Sequence, residues 1–597
     1  MNGVCGIVGY QGEKAAARLL LDGLSRLEYR GYDSAGIGLA DESGLTVYKE
    51  AGRLAVLAAR LDGGEGLTQT VGIGHTRWAT HGAPTTQNAH PHLSENGRYA
   101  VVHNGIIENE AMLRAELIKE GVTLRSDTDT ELIAHLLERE ACDEPVTALR
   151  RVVERLKGSF ALGILCAAHP ERVYAVRRGS PLLVGVTEHG SMIASDVQAL
   201  LAHTRRYVSL DEGEIVCLHD GTLTIYDEDG AVRERVIEEA DTEAVAAERG
   251  EFAHFMRKEI EEQPVAFEKT VASLLDSGVL PSATVRRVVL VGCGSAYHAG
   301  LVGARVIERL AGLPASAEVA SEFRYRHLPP DEETLVIGIS QSGETADTLA
   351  ALRRAREAGA PVLSVVNVEG STMARESDCT WLTKAGPEVA VATTKGYTAQ
   401  LGALYVVALR LAVLRGAIGE DEEKRLIGEL RRVPSLLQEA LRSSDKMHAI
   451  AKRYARVTDA YFIGRGADHA VAWEASLKLK EVSYIHSEAY AAGELKHGTI
   501  SLIEDGTLVV ALACEADTAM KTMANVQETV ARGARVVLVT TDESLTAHDV
   551  VVIPACEPLF LPSVEVVPLQ LFGYYMALER GCDIDRPRNL AKSVTVE

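Results

Sequence analysis

A thiol, a side-chain amide, several carboxylates and a few lysines are the groups whose neighbours in this chain suggest chemistry. Cys5 opens the run Cys5-Gly6-Ile7-Val8-Gly9, where a cysteine is ordinarily a small core residue. His75-Thr76-Arg77-Trp78-Ala79-Thr80-His81-Gly82 packs a permanent cation, an indole and two imidazoles into eight residues. His103-Asn104-Gly105 offers an amide and a glycine, which alone reads as a turn. Ser126-Asp127-Thr128-Asp129 sets a carboxylate at a predicted helix start, with Ser126 or Thr128 as its cap. Together these groups suit attack on an amide, which needs a thiolate, a base and donors for the oxyanion. A free α-amine, with an ordinary pKa of about 7.7–8.0, is a suitable base near neutrality. The five histidines from His75 to His103 do not read as a metal centre, because neither a helical HExxH nor thiolates accompany them.

A second set lies far downstream. Ser340-Gln341-Ser342-Gly343-Glu344-Thr345 falls between an apolar run and a helical pattern. Hydroxyls and backbone N–H groups there make an anion cradle, or simply a capped helix. The segment is neither a P-loop nor a GxGxxG fingerprint, so nucleotide binding is not indicated. Gly292-Cys293-Gly294-Ser295 is a weaker turn of the same kind. Lys478 and Glu481 read on spacing alone as an i,i+3 surface pair, and His497 as a cap or core histidine.

The elements that must position these groups differ between the two halves. Over the first ~235 residues, short runs (Val4–Tyr10, Ala35–Ala40, Val71–His75, Tyr99–His103, Phe160–Cys166, Glu214–Leu218) alternate with helical segments Ala15–Leu27, Glu108–Lys119 and Thr130–Arg139. That pattern predicts stacked sheets flanked by helices. Glu238–Glu251, rich in Glu and Ala, reads as a connector. Beyond it the pattern is strand, turn, helix: Arg287–Val291, Leu335–Ile339 and Pro361–Val366 alternate with helices, which predicts a parallel sheet. The same order returns in Ala460–Ile463, Thr507–Leu512 and Arg535–Thr540. The offsets are 172 (Gly292 to Gly464), 173 (Val336 to Val509) and 174 (Val362 to Val536), which predicts two copies of one α/β domain bridged by Leu401–Leu441. The boundaries we expect are 1–237, a linker 238–251, two α/β domains at 252–425 and 426–587, and a tail 588–597, either docked or frayed.

Composition excludes other classes. Among 597 residues, 84 acidic against 62 basic side chains give a net charge of −22, and 46% are hydrophobic, so the chain is neither disordered nor fibrous. A pI near 5.4 argues against a nucleic-acid partner or a polybasic membrane anchor. The nine cysteines never fall as CxxC, which suggests neither a disulfide scaffold nor a zinc knuckle and points to a reducing, cytoplasmic setting. No signal peptide or membrane span is expected.

The N-terminal segments, with Arg30-Gly31-Tyr32-Asp33-Ser34-Ala35-Gly36, resemble glutamine amidotransferase domains with an N-terminal nucleophile, over about 230 residues. The resemblance implies an αββα sandwich that hydrolyses the glutamine amide. It implies Cys5 as nucleophile, Asn104 and Gly105 as the oxyanion hole, Arg77 and Asp129 for the glutamine carboxylate and ammonium, and Thr80, His81 and Gly82 beside them. Trp78 would gate the ammonia route. The family nucleophile is the first residue after the initiator, whereas Met1-Asn2-Gly3-Val4 precede Cys5 here. The tetrapeptide is cleaved, or persists and cripples the glutaminase, or the start is misassigned; we expect Val4, read as Met from a codon such as GTG, to be the initiator.

The duplicated α/β units resemble sugar isomerase domains that bind phosphosugars. Val391-Ala392-Thr393-Thr394-Lys395, the run Glu488–Gly498 and the tail Pro587–Glu597 extend this to the bacterial-type family of isomerising glutamine–fructose-6-phosphate aminotransferases, from Cys5 to Glu597. That resemblance implies the conversion of fructose-6-phosphate and glutamine to glucosamine-6-phosphate and glutamate, without metal or organic cofactor. It implies that Ser340, Gln341, Ser342 and Thr345 hold the phosphate, with Ser295, Val391 and Ala392 beside the sugar. Lys592 would form a Schiff base, Glu481 would move a proton between C1 and C2 with help from Lys478, and His497 would assist ring opening, reaching the neighbouring subunit of a homodimer. An amine and a carboxylate base are what such a transfer requires. Ala296 and Thr499 depart from the family's usual serine and proline; one lost hydroxyl costs about 0.5–1.5 kcal/mol. Rival amidotransferases lack support, since the pyrophosphate loop of a phosphoribosyl transferase and the SGGxDS loop of an asparagine synthetase are absent. A phosphosugar sensor without turnover would not need both Glu481 and Lys592.

Overall fold

The computed structural model describes residues 5–28, 31–78, 81–140, 144–239, 249–280, 285–327 and 330–594. Chain contacts divide it into two units, Met1–Ala246 together with Ser593–Glu597, and Ala247–Lys592.

In the first unit two sheets stack face to face. The eight-stranded sheet runs Glu238–Glu239, Arg206–Ser209, Leu183–Thr187, Gly190–Ala194, Gly6–Gly12, Val71–Arg77, Ser34–Asp41, Gly44–Ala51. The seven-stranded sheet has Tyr99–Ile107 and Gly158–Cys166 near one edge and Ile215–His219 towards the other. Period-two alternation explains the layers. Along Tyr99–Ile107, Ala100 and Val102 face the inter-sheet core while Tyr99 and Val101 face the outer helices. Along Gly6–Gly12, Ile7 faces inward and Val8 and Tyr10 pack under the helix Ala16–Leu27. Thr130–Arg139 and Pro145–Arg155 cover the second sheet, completing the expected αββα order. The connector reading needs a correction at its start. Glu238 and Glu239 pair with Tyr207 and Arg206 as an edge strand, because the sheet still offers unpaired backbone there. Residues 240–248 of that stretch, and Met1–Val4, Arg30 and Thr80, lie outside the described residues.

The second unit contains the duplication. One five-stranded sheet is ordered Ala315–Val319, Arg287–Gly292, Thr334–Ser340, Val362–Val366, Cys379–Leu382; the other His486–Ala491, Asp459–Gly464, Leu508–Ala513, Arg535–Thr540, Asp549–Val552. All pairings in both are parallel. The helices Ser295–Ala311 and Ala467–Ser483 start after Gly294 and Gly466, at φ of 55° and 61°, and end at Gly312 and Tyr484, both left-handed at φ 61°. The repeat therefore keeps its backbone even where a tyrosine must adopt a conformation that glycine takes without steric cost. Of the expected bridge, Lys395–Leu414 instead packs on Ser295–Ala311 within the first repeat, as Leu561–Glu579 packs on Ala467–Ser483. Only Glu420–Ala440 connects the two repeats. Lys395–Leu414 is the one described helix long and apolar enough to cross a membrane, and it is buried in the protein core.

Candidate active sites

Cys5 lies just before the strand Gly6–Gly12, where Gly6 is in register with Thr76 of Val71–Arg77. That pairing brings Cys5 against Trp78, whose N–H donates to Sγ at 3.2 Å. Asn104 and Gly105 come from the facing sheet, inside the strand Tyr99–Ile107 rather than in the turn their sequence suggests. The Asn104 Nδ2 donates to the Cys5 carbonyl at 2.8 Å. Its Oδ1 and the His103 carbonyl both face His75 Nε2, at 3.1 and 2.9 Å. Two acceptors on one nitrogen require that His75 Nε2 carry the proton, and this fixes which end of Asn104 points at Cys5. Gly105 sits at φ +128°, and a Cβ there would meet the Ser159 carbonyl at 2.0 Å.

Arg77 is buried and donates to the carbonyls of His81, Gly82 (3.2 Å) and Ala83 (3.4 Å), so the cation braces the loop it introduces. Asp129 accepts the Ile107 N–H at 3.0 Å and lies 3.8 Å from His103 Nδ1. Burial opposes its charge, yet His103 and that N–H hold its pKa down at about 2. A cavity in this unit is lined by Cys5, Arg77, Trp78, Gly105, Thr128 and Asp129, among others. A cation, Arg77, and an anion, Asp129, thus line the same cavity as the Cys5 thiol. Burial pushes the Cys5 thiol up to about 11, so at neutral pH it rests protonated and needs a base. His75 and His92 are held neutral by burial at about 3, and the rings of His75 and His90 lie 4.2 Å apart, tilted by 33°. The expected cap is reversed: Glu131 accepts the N–H groups of Arg125 and Ser126 and the Ser126 hydroxyl, while Thr128 bonds His92.

The second site gathers at the carboxyl ends of adjacent parallel strands, where open α/β sheets bind ligands. Ser295 follows Arg287–Gly292, and Ser340 ends Thr334–Ser340. In the loop after it, Ser340 Oγ accepts the Gly343 N–H at 3.0 Å and bonds Thr345 Oγ1 at 2.9 Å, and Ser342 Oγ accepts the Glu344 N–H at 3.2 Å. Gly343 is left-handed at φ +67°, with no room for a Cβ against Ser371. The Gln341 carbonyl accepts the Asn367 N–H, and Gln341 and Ser342 remain partly exposed above the helix Ala346–Glu357.

Lys592 docks the tail onto this unit. Its ammonium donates to Glu388 at 2.5 Å and to the Ala390 carbonyl at 2.9 Å, beside Val391, whose own N–H donates to Asp585; Ala392 is buried next to it. Burial opposes the Glu388 charge, but Lys592, Thr393 and the Gly396 N–H hold it at about 2. Lys478 and Glu481 are an ion pair, yet not at the surface: Lys478 is 1% exposed, enclosed between its sheet and Leu561–Glu579. Burial works against the Lys478 ammonium, but Glu481, Glu474 and Glu388 hold it charged; burial pushes the Glu481 carboxyl up against the pull of Lys478. Glu474, unassigned from the sequence alone, is fully buried and accepts from Ser295 Oγ at 2.8 Å and from His298 Nδ1 at 2.8 Å, with Lys478 Nζ at 3.5 Å. Ser295, Lys478, Glu481 and Lys592 therefore belong to one charged network. His497 is not in it: it ends the short helical turn Ala492–His497, exposed.

Comparison with known proteins finds the same division of the chain. A glutamine amidotransferase domain matches residues 75–202, and a SIS domain matches twice, at 283–410 and 454–580. A glutamine–fructose-6-phosphate aminotransferase (isomerizing) of Caldanaerobacter subterraneus subsp. tengcongensis is 47% identical over the whole of both chains, and one of Symbiobacterium thermophilum is 49% identical, again over both whole chains. The C-terminal domain of glucosamine-fructose-6-phosphate aminotransferase from Francisella tularensis superposes on 57% of this chain and all of its own, with a TM-score of 0.55 and 36% identity.

Proposed function

The chain belongs to the family of isomerising glutamine–fructose-6-phosphate aminotransferases, and we propose that its reaction is divided between the Cys5 centre and the Lys592 centre. The enzyme converts fructose-6-phosphate and glutamine to glucosamine-6-phosphate and glutamate, the entry to amino-sugar biosynthesis.

At the first centre Cys5 attacks the glutamine amide carbon and passes its proton to a base; the adduct collapses as that proton leaves with the nitrogen as ammonia, and water then hydrolyses the thioester to release glutamate. The Asn104 Nδ2 and the Gly105 N–H take up the oxyanion, a contribution of about 2.7–4 kcal/mol per donor in comparable sites. Asp129 receives the substrate ammonium and Arg77 its carboxylate. The base we assign is a free α-amine on Cys5, which requires removal of the four preceding residues; intact-mass measurement of natively expressed protein tests it.

At the second centre the Ser340–Thr345 loop and the helix start behind it hold the sugar phosphate. The Lys592 amine adds to the open-chain C2 carbonyl and water leaves, forming the imine; ammonia from the first centre then adds to C2 and the bond from C2 to Lys592 breaks, which frees the lysine and leaves the nitrogen on the sugar. Glu481 carries the proton between C1 and C2, its carboxyl raised and therefore able to both accept and return it. Lys478 keeps its charge and orients Glu481. The exposure of His497 fits a role in ring opening at a second subunit's site, and so a homodimer; an acidic chain whose described cysteines are all free fits the cytoplasm.

The observation that carries this reading is the burial of Lys592 against Glu388 and the Ala390 carbonyl, in the network that holds Lys478 and Glu481. Borohydride reduction in the presence of fructose-6-phosphate tests it. A hexitol-phosphate adduct on Lys592 is expected, and labelling elsewhere, or none, contradicts it.

A further inference from the structure

The loop of the second repeat that corresponds to Ser340–Thr345, Ala513-Cys514-Glu515-Ala516-Asp517-Thr518, has neither of its serines. At the position of Gln341, 173 residues on, stands Cys514, and at that of Ala296, 172 residues on, stands Asp468. Glu565, from the helix Leu561–Glu579, completes a cluster whose thiol and carboxylate atoms all lie within 4.8 Å of one another. Asp468 and Glu565 are 0% exposed and Cys514 is 2% exposed. Asp468 Oδ2 accepts the N–H groups of Cys514 and Glu515 at 3.0 and 3.3 Å. Its Oδ1 has no hydrogen-bond partner, and the Glu565 carboxyl has, among the described residues, no polar neighbour closer than the Cys514 thiol.

No lysine, arginine or histidine pairs with Asp468 or Glu565 among the described residues. The charged groups bearing on them are each other and Glu515, whose own carboxylate takes the Ala467 N–H at 2.9 Å and Arg309 at 3.9 Å, facing away from the cluster. Two buried carboxylates without a counter-charge require neutralisation, by a cation or by protons. Two buried carboxyls and a thiol with their ligand atoms within 4.8 Å of one another, and no cation among their neighbours, are a ligand set for a metal ion.

We propose that Asp468, Cys514 and Glu565 form a divalent metal site in the second repeat, at the place where the first repeat binds phosphate. Two oxygens and a sulfur suit a borderline ion of the Zn²⁺ class better than Mg²⁺ or Ca²⁺. On binding, Cys514 gives up the proton it now directs at the Val539 carbonyl, 3.4 Å away, and the thiolate joins the metal. Asp468 lies in the first turn of Ala467–Ser483, Cys514 just after Leu508–Ala513, and Glu565 on Leu561–Glu579. The ion therefore ties together three elements of the second repeat, a structural role distinct from the chemistry proposed above.

The full-length protein is stripped with a chelator and titrated with Co²⁺ and Zn²⁺, with no turnover measured. One ion per chain, a thiolate-to-Co²⁺ absorption band and a melting temperature that rises with free Zn²⁺ are expected. Cys514→Ser should lose the band, and the near-isosteric Glu565→Gln should weaken Co²⁺ binding by more than the roughly 10–100-fold typical of an outer-shell partner. Absence of the band with no Zn²⁺-dependent melting shift overturns the proposal in favour of shared protons. So does equal Co²⁺ binding by wild type and Glu565→Gln, which would place the ion elsewhere.

Discussion

The carboxylate of Glu474, in the second repeat, accepts the hydroxyl of Ser295, in the first, at 2.8 Å across 179 residues of chain. The same group takes His298 and lies 3.5 Å from Lys478, so one buried anion orients the Ser295 hydroxyl and the Lys478 ammonium together. The site is thus asymmetric within a symmetric fold: the repeat offset puts Val302 where Glu474 stands.

Replacing Glu474 by Gln should lower amino-sugar formation by about 10–100-fold, the equivalent of one charge-assisted hydrogen bond of about 1.5–3 kcal/mol. Glutamine hydrolysis without sugar should be unchanged. Steady-state assays of the two half-reactions check this, and equal losses in both would point to general unfolding instead.

Gly105→Ala probes the opposite unit. A Cβ at φ +128° and 2.0 Å from the Ser159 carbonyl cannot be accommodated without moving the strand pair that presents Asn104. Glutaminase kcat should fall by about 10²–10³-fold, as for loss of an oxyanion donor. Synthesis from added ammonia should survive.

The pair Glu259 and Glu388 makes stability pH-dependent. Glu259 accepts the Val389 and Ala390 N–H groups through Oε1, while its Oε2 has no partner. Burial and the nearby Glu388 push it from 4.5 up to about 8. An acid raised on folding binds more protons in the native state, so its contribution falls as pH rises from about 4.5 to about 8. Glu259→Gln should flatten the melting temperature across that window. A wild-type slope retained in the variant would contradict the assignment.

Lys592→Met should remove the imine and leave Glu388 buried without its cation. Loss of all amino-sugar synthesis is expected, with destabilisation of about 3–5 kcal/mol by denaturant titration. Glu388 is depressed to about 2, so its stabilisation is present above about 4.5 and disappears as pH falls toward 2. In the variant that acid loss should be smaller and be complete at higher pH.

The sheets were legible because their signals are local. Alternation along Tyr99–Ile107 and constant offsets between apolar runs survive without knowledge of partners. The left-handed Tyr484 at the place of Gly312 was not legible, since packing there overrides residue preference. Glu474 stayed hidden because its partners lie in another repeat, and Lys478–Glu481 looked like a surface pair because spacing carries no information on burial. Asn104-Gly105 read as a turn for a related reason: the positive φ that glycine allows is used here inside a strand.

Coupling of the two chemistries is tested most directly by isotope. Amide-¹⁵N glutamine and fructose-6-phosphate are supplied with a large excess of unlabelled ammonium, and the product is weighed by mass spectrometry. The account predicts glucosamine-6-phosphate carrying ¹⁵N; hexosamine holding only the light isotope would mean that nitrogen released at Cys5 never reaches the sugar held by Lys592, and would contradict it.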